Sequence, residues 1–252
     1  MITVNFNPLT DDKNIALGNH MFQYAVCRIV AEKNSYSFYI PHKSFISQCF
    51  ENIDLGEKDG EILHNYIEST DQTYDPNIFS VSDFTNLVGH FQTEKYFLDY
   101  EDDVKMWFKP TLDSKTKSII DKYPISKYCY IHLRGGDYRI NGLLLPKEYF
   151  DRAIEKVKEI KSDLSFVVVT DDLELSKSYF PNFDAISNEV ITDFKTLYFS
   201  NFSIISNSSF SWWSCWLTDK EITIAPNNWL YYNNPAKDIH PKDIKTNKFI
   251  FI

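Results

Sequence analysis

Apolar and polar positions along the chain follow two alternating rhythms. Residues 2–6 alternate as a half-buried strand does, and after a polar stretch at 10–14 the residues Met21, Phe22, Ala25, Val26, Ile29 and Val30 fall at helical spacing. The strand pattern resumes over residues 37–40, so the first forty residues predict a βαβ unit whose strand-to-helix loop carries Gly18. Residues 45–85 are polar and irregular and predict no element. A short strand at 87–88 and a helix over 94–108, ended by Pro110, complete the first half. A second βαβ unit begins after Pro124. Residues 128–133 form an aromatic and branched run, then Tyr149, Phe150, Ala153, Ile154, Val157 and Ile160 share one helical face, and residues 164–169 are an apolar strand. Alternation continues through a helix at Phe194, Leu197 and Tyr198, a strand at 202–205, a helix at 210–217 and a strand at 222–225.

This is an α/β pattern of two Rossmann-like units, 1–115 and 116–252, with the boundary near 110–126 and the ligand expected in the cleft between them. At 252 residues each half has an ordinary domain size. The net charge of −9 argues against a generic nucleic-acid binder, while leaving room for a local basic pocket. Cys27, Cys49, Cys129 and Cys215 lie in apolar or helical patterns without C-x-x-C pairing and read as reduced core residues. No basic region followed by an apolar core opens the chain, and no apolar run reaches the ~18 residues of a membrane span, so cytoplasmic residence is the expectation. Only seven residues are glycine, and their positions exclude both G-x-G-x-x-G and G-x-x-x-x-G-K-S/T. Any nucleotide site must be built another way.

Four polar clusters stand at the C-terminal ends of predicted strands, where open α/β sheets bind ligands. Ala16, Gly18, Asn19 and His20 precede or open the first helix. Residues 132–138 deliver an imidazole and a guanidinium at positions i and i+2 and then turn on Gly135 and Gly136; the fork of Arg134 suits a diphosphate, and an Arg–Asp structural pair fits equally well. Asp171 and Asp172 could bind a metal, accept from a guanine edge or cap the next helix, the cap being the commonest role. Residues 206–213 place small hydroxyls at a helix start, either as an anion site or as an ordinary serine cap. No Asp-x-Asp string occurs, the histidines show no ligand spacing, and a metal-free mechanism is expected.

The strings LGNHMFQYA (residues 17–25), GHFQTEKYF (89–97), HLRGGDY (132–138), VTDD (169–172) and NSSFSWWSCWL (207–217) together resemble glycosyltransferase family 11, the α-1,2-fucosyltransferases. The resemblance implies a GT-B architecture with two Rossmann-like domains facing a central cleft. It also implies inverting, metal-independent transfer of L-fucose from GDP-fucose to the 2-hydroxyl of a galactoside in a glycan. Carried over by position, Arg134 would hold the β-phosphate and stabilise the leaving diphosphate. His132 and one of Asp171 or Asp172 would contact guanine. Asn207, Ser208, Ser209 and Phe210 would line the phosphate and base pocket, and Gly18 and Asn19 would belong to a loop that approaches the sugar and the acceptor. Gln92 and Tyr96, with His20, fall on the acceptor side, and Asp137 is the candidate base with His20 behind it. The sequence departs from the family at three positions: Gly135 stands where a second Arg is usual, Ala16 where Gly is, and His20 where Gln is.

Overall fold

The computed structural model describes residues 1–4, 17–41, 45–230 and 241–252. The polar stretch 10–14 and Ala16 lie outside them. The chain divides into two compact units, one of Met1–Pro110 with Pro241–Ile244 and one of Thr111–His240 with Lys245–Ile252.

The first unit is built on four parallel strands, β1 (Ile2–Val4), β2 (Phe38–Tyr39), β3 (His64–Ile67) and β4 (Thr85–Val88), in the order β2-β1-β4-β3. The expected βαβ opening is present, with helix α1 (Leu17–Asn34) crossing between β1 and β2. Its apolar stripe is wider than an amphipathic face needs, and residues from Leu17 to Ala31 are buried on nearly every side. The helix ends where Ser35 takes a left-handed φ of 56°, Tyr36 N donates to Ala31 O at 2.9 Å and Ser35 N to Glu32 O at 3.2 Å. These two hydrogen bonds close the last carbonyls of the helix. Because α1 begins at Leu17, Gly18 and Asn19 lie in its first turn and not in the preceding loop.

Two further expectations are corrected. The helix foreseen over 94–108 is broken into 3₁₀ turns, Glu94–Tyr96 and Leu98–Tyr100, before α3 (Glu101–Trp107), with Phe97 between them at φ −136°, ψ 9°, outside helical geometry. The irregular stretch holds α2 (Phe45–Cys49) as well as β3.

The second unit holds a six-stranded parallel sheet of β5 (Tyr128–Leu133), β6 (Ser165–Thr170), β7 (Asp184–Ile186), β8 (Phe202–Ile204), β9 (Ile222–Ala225) and β10 (Ile250–Phe251), ordered β10-β9-β8-β5-β6-β7. Its helices are α4 (Ser114–Lys122), α5 (Gly136–Asn141), α6 (Lys147–Ile160), α7 (Leu173–Tyr179), α8 (Val190–Phe199) and α9 (Ser209–Trp216). The central strands are buried on both faces, as parallel strands are. Cys129, Ile131, Leu133 and Val168 pack with Tyr149, Phe150, Ala153 and Val157 of α6, whereas Tyr130, Val167 and Val169 pack with Leu197 of α8. All four cysteines are free and buried. Helix α4 occupies the stretch read as a boundary. Asp113 starts it by accepting from Thr116 N at 2.8 Å, and its outward face is too polar to show a helical stripe.

Candidate functional site

In the second sheet the strand order reverses beside β5, whose neighbours are β6 on one side and β8 on the other. Such a reversal opens a crevice beyond the carboxyl ends of the strands. Three of the sequence clusters meet there. Ser206, just past β8, donates its hydroxyl to His132 O at 2.8 Å and accepts from Arg134 N at 3.0 Å, which ties the two strand ends together.

Arg134 is held from two sides. One terminal nitrogen pairs with Asp171 at 2.6 Å and the other with Asp137 at 2.6 Å, while the guanidinium carbon lies 5.4 Å from the Tyr138 ring. The structural Arg–Asp pair is therefore present, and Asp137 adds a second anion. The two glycines make this turn possible. Gly135 N donates to Asp171 at 2.7 Å, and a Cβ at 135 would sit 2.4 Å from the Cβ of Asp172. At Gly136, where φ is +29°, a Cβ would stand 2.7 Å from an Asp171 carboxylate oxygen. The space a side chain at 135 would need is thus filled by Asp172.

Asp172 is the N-cap of α7, accepting from Leu175 N at 2.9 Å, and its other oxygen accepts from Arg139 at 2.9 Å. The Leu175 bond, with Arg139 adding to it, holds the carboxyl below its ordinary range against a smaller opposing effect of burial. Arg139, unremarked in the sequence, stands one helical turn after Gly135. Ser208 occupies the N-cap position of α9, yet its side chain makes no capping bond. The first N–H groups of that helix are not covered by it, unlike those of an ordinary serine cap.

The His132 ring lies 5.4 Å from that of Phe210, which meets Phe194 edge-on at 5.5 Å. Burial, reinforced by the charge of Arg134, pushes His132 down to about 3. Nδ1 of His132 and Oδ1 of Asn207 are buried and meet no hydrogen-bond partner among the described residues. Buried polar atoms of this kind call for a partner, which a water or a ligand can supply. Ser209 and Phe210, at the start of α9, are only partly buried.

Asp193 on α8 was not singled out by the sequence, because a lone acid in an apolar helix carries no motif. Burial raises it to about 6, against hydrogen bonds from Asn188, and Asp171 is near enough to add to the shift. Among the described residues no three His, Cys, Asp or Glu side chains converge as a metal site.

In the first sheet the order reverses between β1 and β4. Past β4, Gln92 donates to Asn19 at 2.7 Å, and Gln23 of α1 donates to Gly89 O at 2.7 Å. Gly18 and His20 are buried in the same first turn of α1. Tyr96 stands apart: it is 2% exposed, packed by Tyr74, Phe79 and Phe91, and its hydroxyl accepts from Asp75 N at 3.1 Å. It is a packing residue of this loop region.

The family model described as Glycosyl transferase family 11 matches residues 58–252. The chain belongs to this family. An alpha-1,2-colitosyltransferase of Escherichia coli is 30% identical over 84% of this family 11 chain and 89% of its own length. The Escherichia coli O-antigen biosynthesis glycosyltransferase WbnK is 24% identical over 90% of this chain and 75% of its own. The fold is shared with a mutant of Arabidopsis thaliana FUT1 solved in complex with GDP, at a TM-score of 0.50 and 11% identity over 89% of this chain and 69% of that one. NodZ alpha-1,6-fucosyltransferase, co-crystallized with GDP, also gives a TM-score of 0.50, at 11% identity over 86% of this chain and 92% of that one. No helix among the described residues is long and apolar enough to cross a membrane.

Proposed function

We propose that this family 11 glycosyltransferase transfers L-fucose from GDP-fucose to the 2-hydroxyl of a galactoside, with inversion and without a metal, in a GT-B division of labour. The second unit takes the donor and the first the acceptor. One observation carries the reading: Arg134 stands at the strand-order reversal beside a helix start that its own serine does not cap. A guanidinium fork and helix N–H groups are together what a diphosphate requires.

The acceptor oxygen forms its bond to the anomeric carbon as the bond from that carbon to the β-phosphate oxygen breaks, and charge develops on the departing GDP. Arg134 is the group to stabilise that charge. The diphosphate would compete with Asp137 and Asp171 for the Arg134 fork. Asp137, with its side chain 46% exposed against 34% for Asp171, is the freer of the two. Its release by the donor would leave it able to accept the acceptor's proton. We assign the guanine edge to His132 with one of Asp171 or Asp172, and add Asp193, whose carboxylate is held by Asn188 at 3.0 Å, as a further candidate. Asn207, Ser208, Ser209 and Phe210 line the donor's seat, Asn19 approaches the sugar, and His20 and Gln92 stand on the acceptor side.

A second donor has its own support. Likeness to an alpha-1,2-colitosyltransferase nominates a colitosyl donor, GDP-colitose, as the competitor; colitose is L-fucose without the 3-hydroxyl. A GDP-release screen of both donors, each with and without β-galactosides, tests the proposal. Galactoside-dependent release from GDP-fucose is the expected result, and release from GDP-colitose alone moves the assignment to that sugar. Arg134→Ala should lower kcat by about 10²–10³. Asp137→Asn should lower kcat while GDP affinity holds or improves. An Arg134→Ala enzyme of unchanged rate sinks the role given to that residue.

A further inference from the structure

Glu68 follows β3 in the first unit and reaches across to the loop that leaves β4. Its two carboxylate oxygens accept from consecutive backbone donors, His90 N at 2.7 Å and Phe91 N at 2.9 Å, while Glu68 N donates to Val88 O at 2.8 Å. Gly89 lies directly against this side chain. A Cβ there would stand 2.5 Å from Glu68 Cβ and 2.7 Å from one of its carboxylate oxygens.

The loop so held is strained. Phe91 is fully buried and has φ +54°, a left-handed conformation that a bulky residue keeps only where its surroundings impose it. The constraints come from several directions. Glu68 grips the backbone, Thr93 N donates to Phe91 O at 2.8 Å, and the Phe91 ring is packed by Tyr66 at 6.4 Å and edge-on by Tyr96 at 6.0 Å. Helix α1 holds the rest of the loop through the Gln23–Gly89 and Gln92–Asn19 hydrogen bonds. The strained turn therefore stands at the strand-order reversal of the first sheet, and it carries His90, which is exposed, and Gln92. Strain that is fastened from both sides at a crevice marks a loop whose exact course matters.

We propose that Glu68 is a positioning residue of the acceptor subsite: by holding the left-handed turn at Phe91 it sets where His90 and Gln92 stand, and so governs affinity for the acceptor galactoside. The inference rests on the first unit being the acceptor side. Burial raises the Glu68 carboxyl above its usual range, against the two backbone bonds, which agrees with a side chain kept for those donors.

Two variants perturb the contact from opposite ends. Glu68→Gln leaves one acceptor oxygen for two N–H donors, and Gly89→Ala drives a methyl group into Glu68. Calorimetric titration of the full chain with GDP and separately with a β-galactoside is combined with thermal melting and with GDP release in the absence of acceptor. Expected are a rise in galactoside Kd and KM of about tenfold or more, with GDP affinity and acceptor-independent release within about twofold of the parent. Unchanged galactoside affinity in both variants overturns the inference and leaves the transferase reading standing. A parallel fall in GDP affinity, galactoside affinity and Tm overturns it as general destabilisation. A parent that binds GDP but no galactoside overturns it too. If the parent binds galactosides, the variants lose them and no GDP-sugar turns over, the inference holds and the proposed reaction fails.

Discussion

His132 lies on β5 and Arg134 stands two residues further, just past the strand end; burial, reinforced by that guanidinium, decides the state of the imidazole. A buried imidazole loses hydration when charged, and a neighbouring guanidinium adds repulsion, so both effects favour the neutral ring. Hence the value of about 3 for His132. The sign of the linkage follows. Between about 3 and the unfolded value near 6.5 only the unfolded chain binds this proton, so this residue's contribution to stability is complete above pH ~6.5 and is lost progressively as pH falls towards 3. The His132 ring should keep the NMR signature of a neutral imidazole from pH 8 to pH ~4. The stability gap between the parent and His132→Gln should narrow as pH falls through that window. Ring signals titrating near pH 6.5 would show that the imidazole is solvated. Gly135 carries the other residue-scale lesson. An arginine at 135 is not one substitution away, because Asp172 fills the place and is fastened to both α7 and Arg139.

Helix α8 shows how an element can be finished by a residue far along the chain. The Nζ of Lys220 donates to Leu197 O at 2.7 Å, Tyr198 O at 3.1 Å, Ser200 O at 2.5 Å and Ser200 Oγ at 3.1 Å. A cation on the terminal carbonyls of a helix satisfies groups that have no partner within it and complements the negative end of the dipole. Lys220→Met keeps the stem and removes the donors, and should cost about 1–3 kcal/mol. For a chain of this size that is a Tm lower by roughly 2–10 °C, with GDP affinity unchanged because the candidate donor residues lie at the other end of α8 and on other elements. A Tm equal to the parent's would mean that water serves these carbonyls as well. This tie, spanning 20–23 residues, has no signature in local periodicity. The same limit explains α4, where a polar outward face hid the helix although Asp113 was a readable cap, and the 3₁₀ turns after Thr93, where apolar spacing alone suggested one continuous helix. Strands β5 and β6 were legible because burial on both faces makes them near-continuous apolar runs, and β8 and β9 because only Ser203 and Thr223 interrupt theirs.

At the scale of the whole chain, the sequence showed two α/β halves with their polar clusters at strand ends, because strand and helix periods alternate regularly on either side of Pro124. It did not show that residues 241–244 belong with the first unit. Asp243 accepts from Lys95 at 2.6 Å and from Tyr74 N at 2.8 Å, pairings across 148 and 169 residues that only the fold brings together. The sequence placed every donor candidate except Gly18 and Asn19 in the second half, and did not show that they would gather around one reversal of strand order. That partition makes a prediction about the molecule. A ligand that binds only the native state stabilises it by RT ln(1 + [L]/Kd), about 2.7 kcal/mol at a hundredfold excess over Kd. Local openings that expose the ligand's own contacts are suppressed most, since those are the openings that must release it. GDP should therefore slow amide hydrogen exchange in the turns at 134–138, 171–175 and 207–212, while the amides of β1–β4 and the loop at 89–92 change little. A β-galactoside should give the complementary map, with slowing at 89–92 and in the first turn of α1. Protection by GDP confined to the first unit would reverse the assignment of donor and acceptor sides, and equal protection everywhere would show that the two units open together.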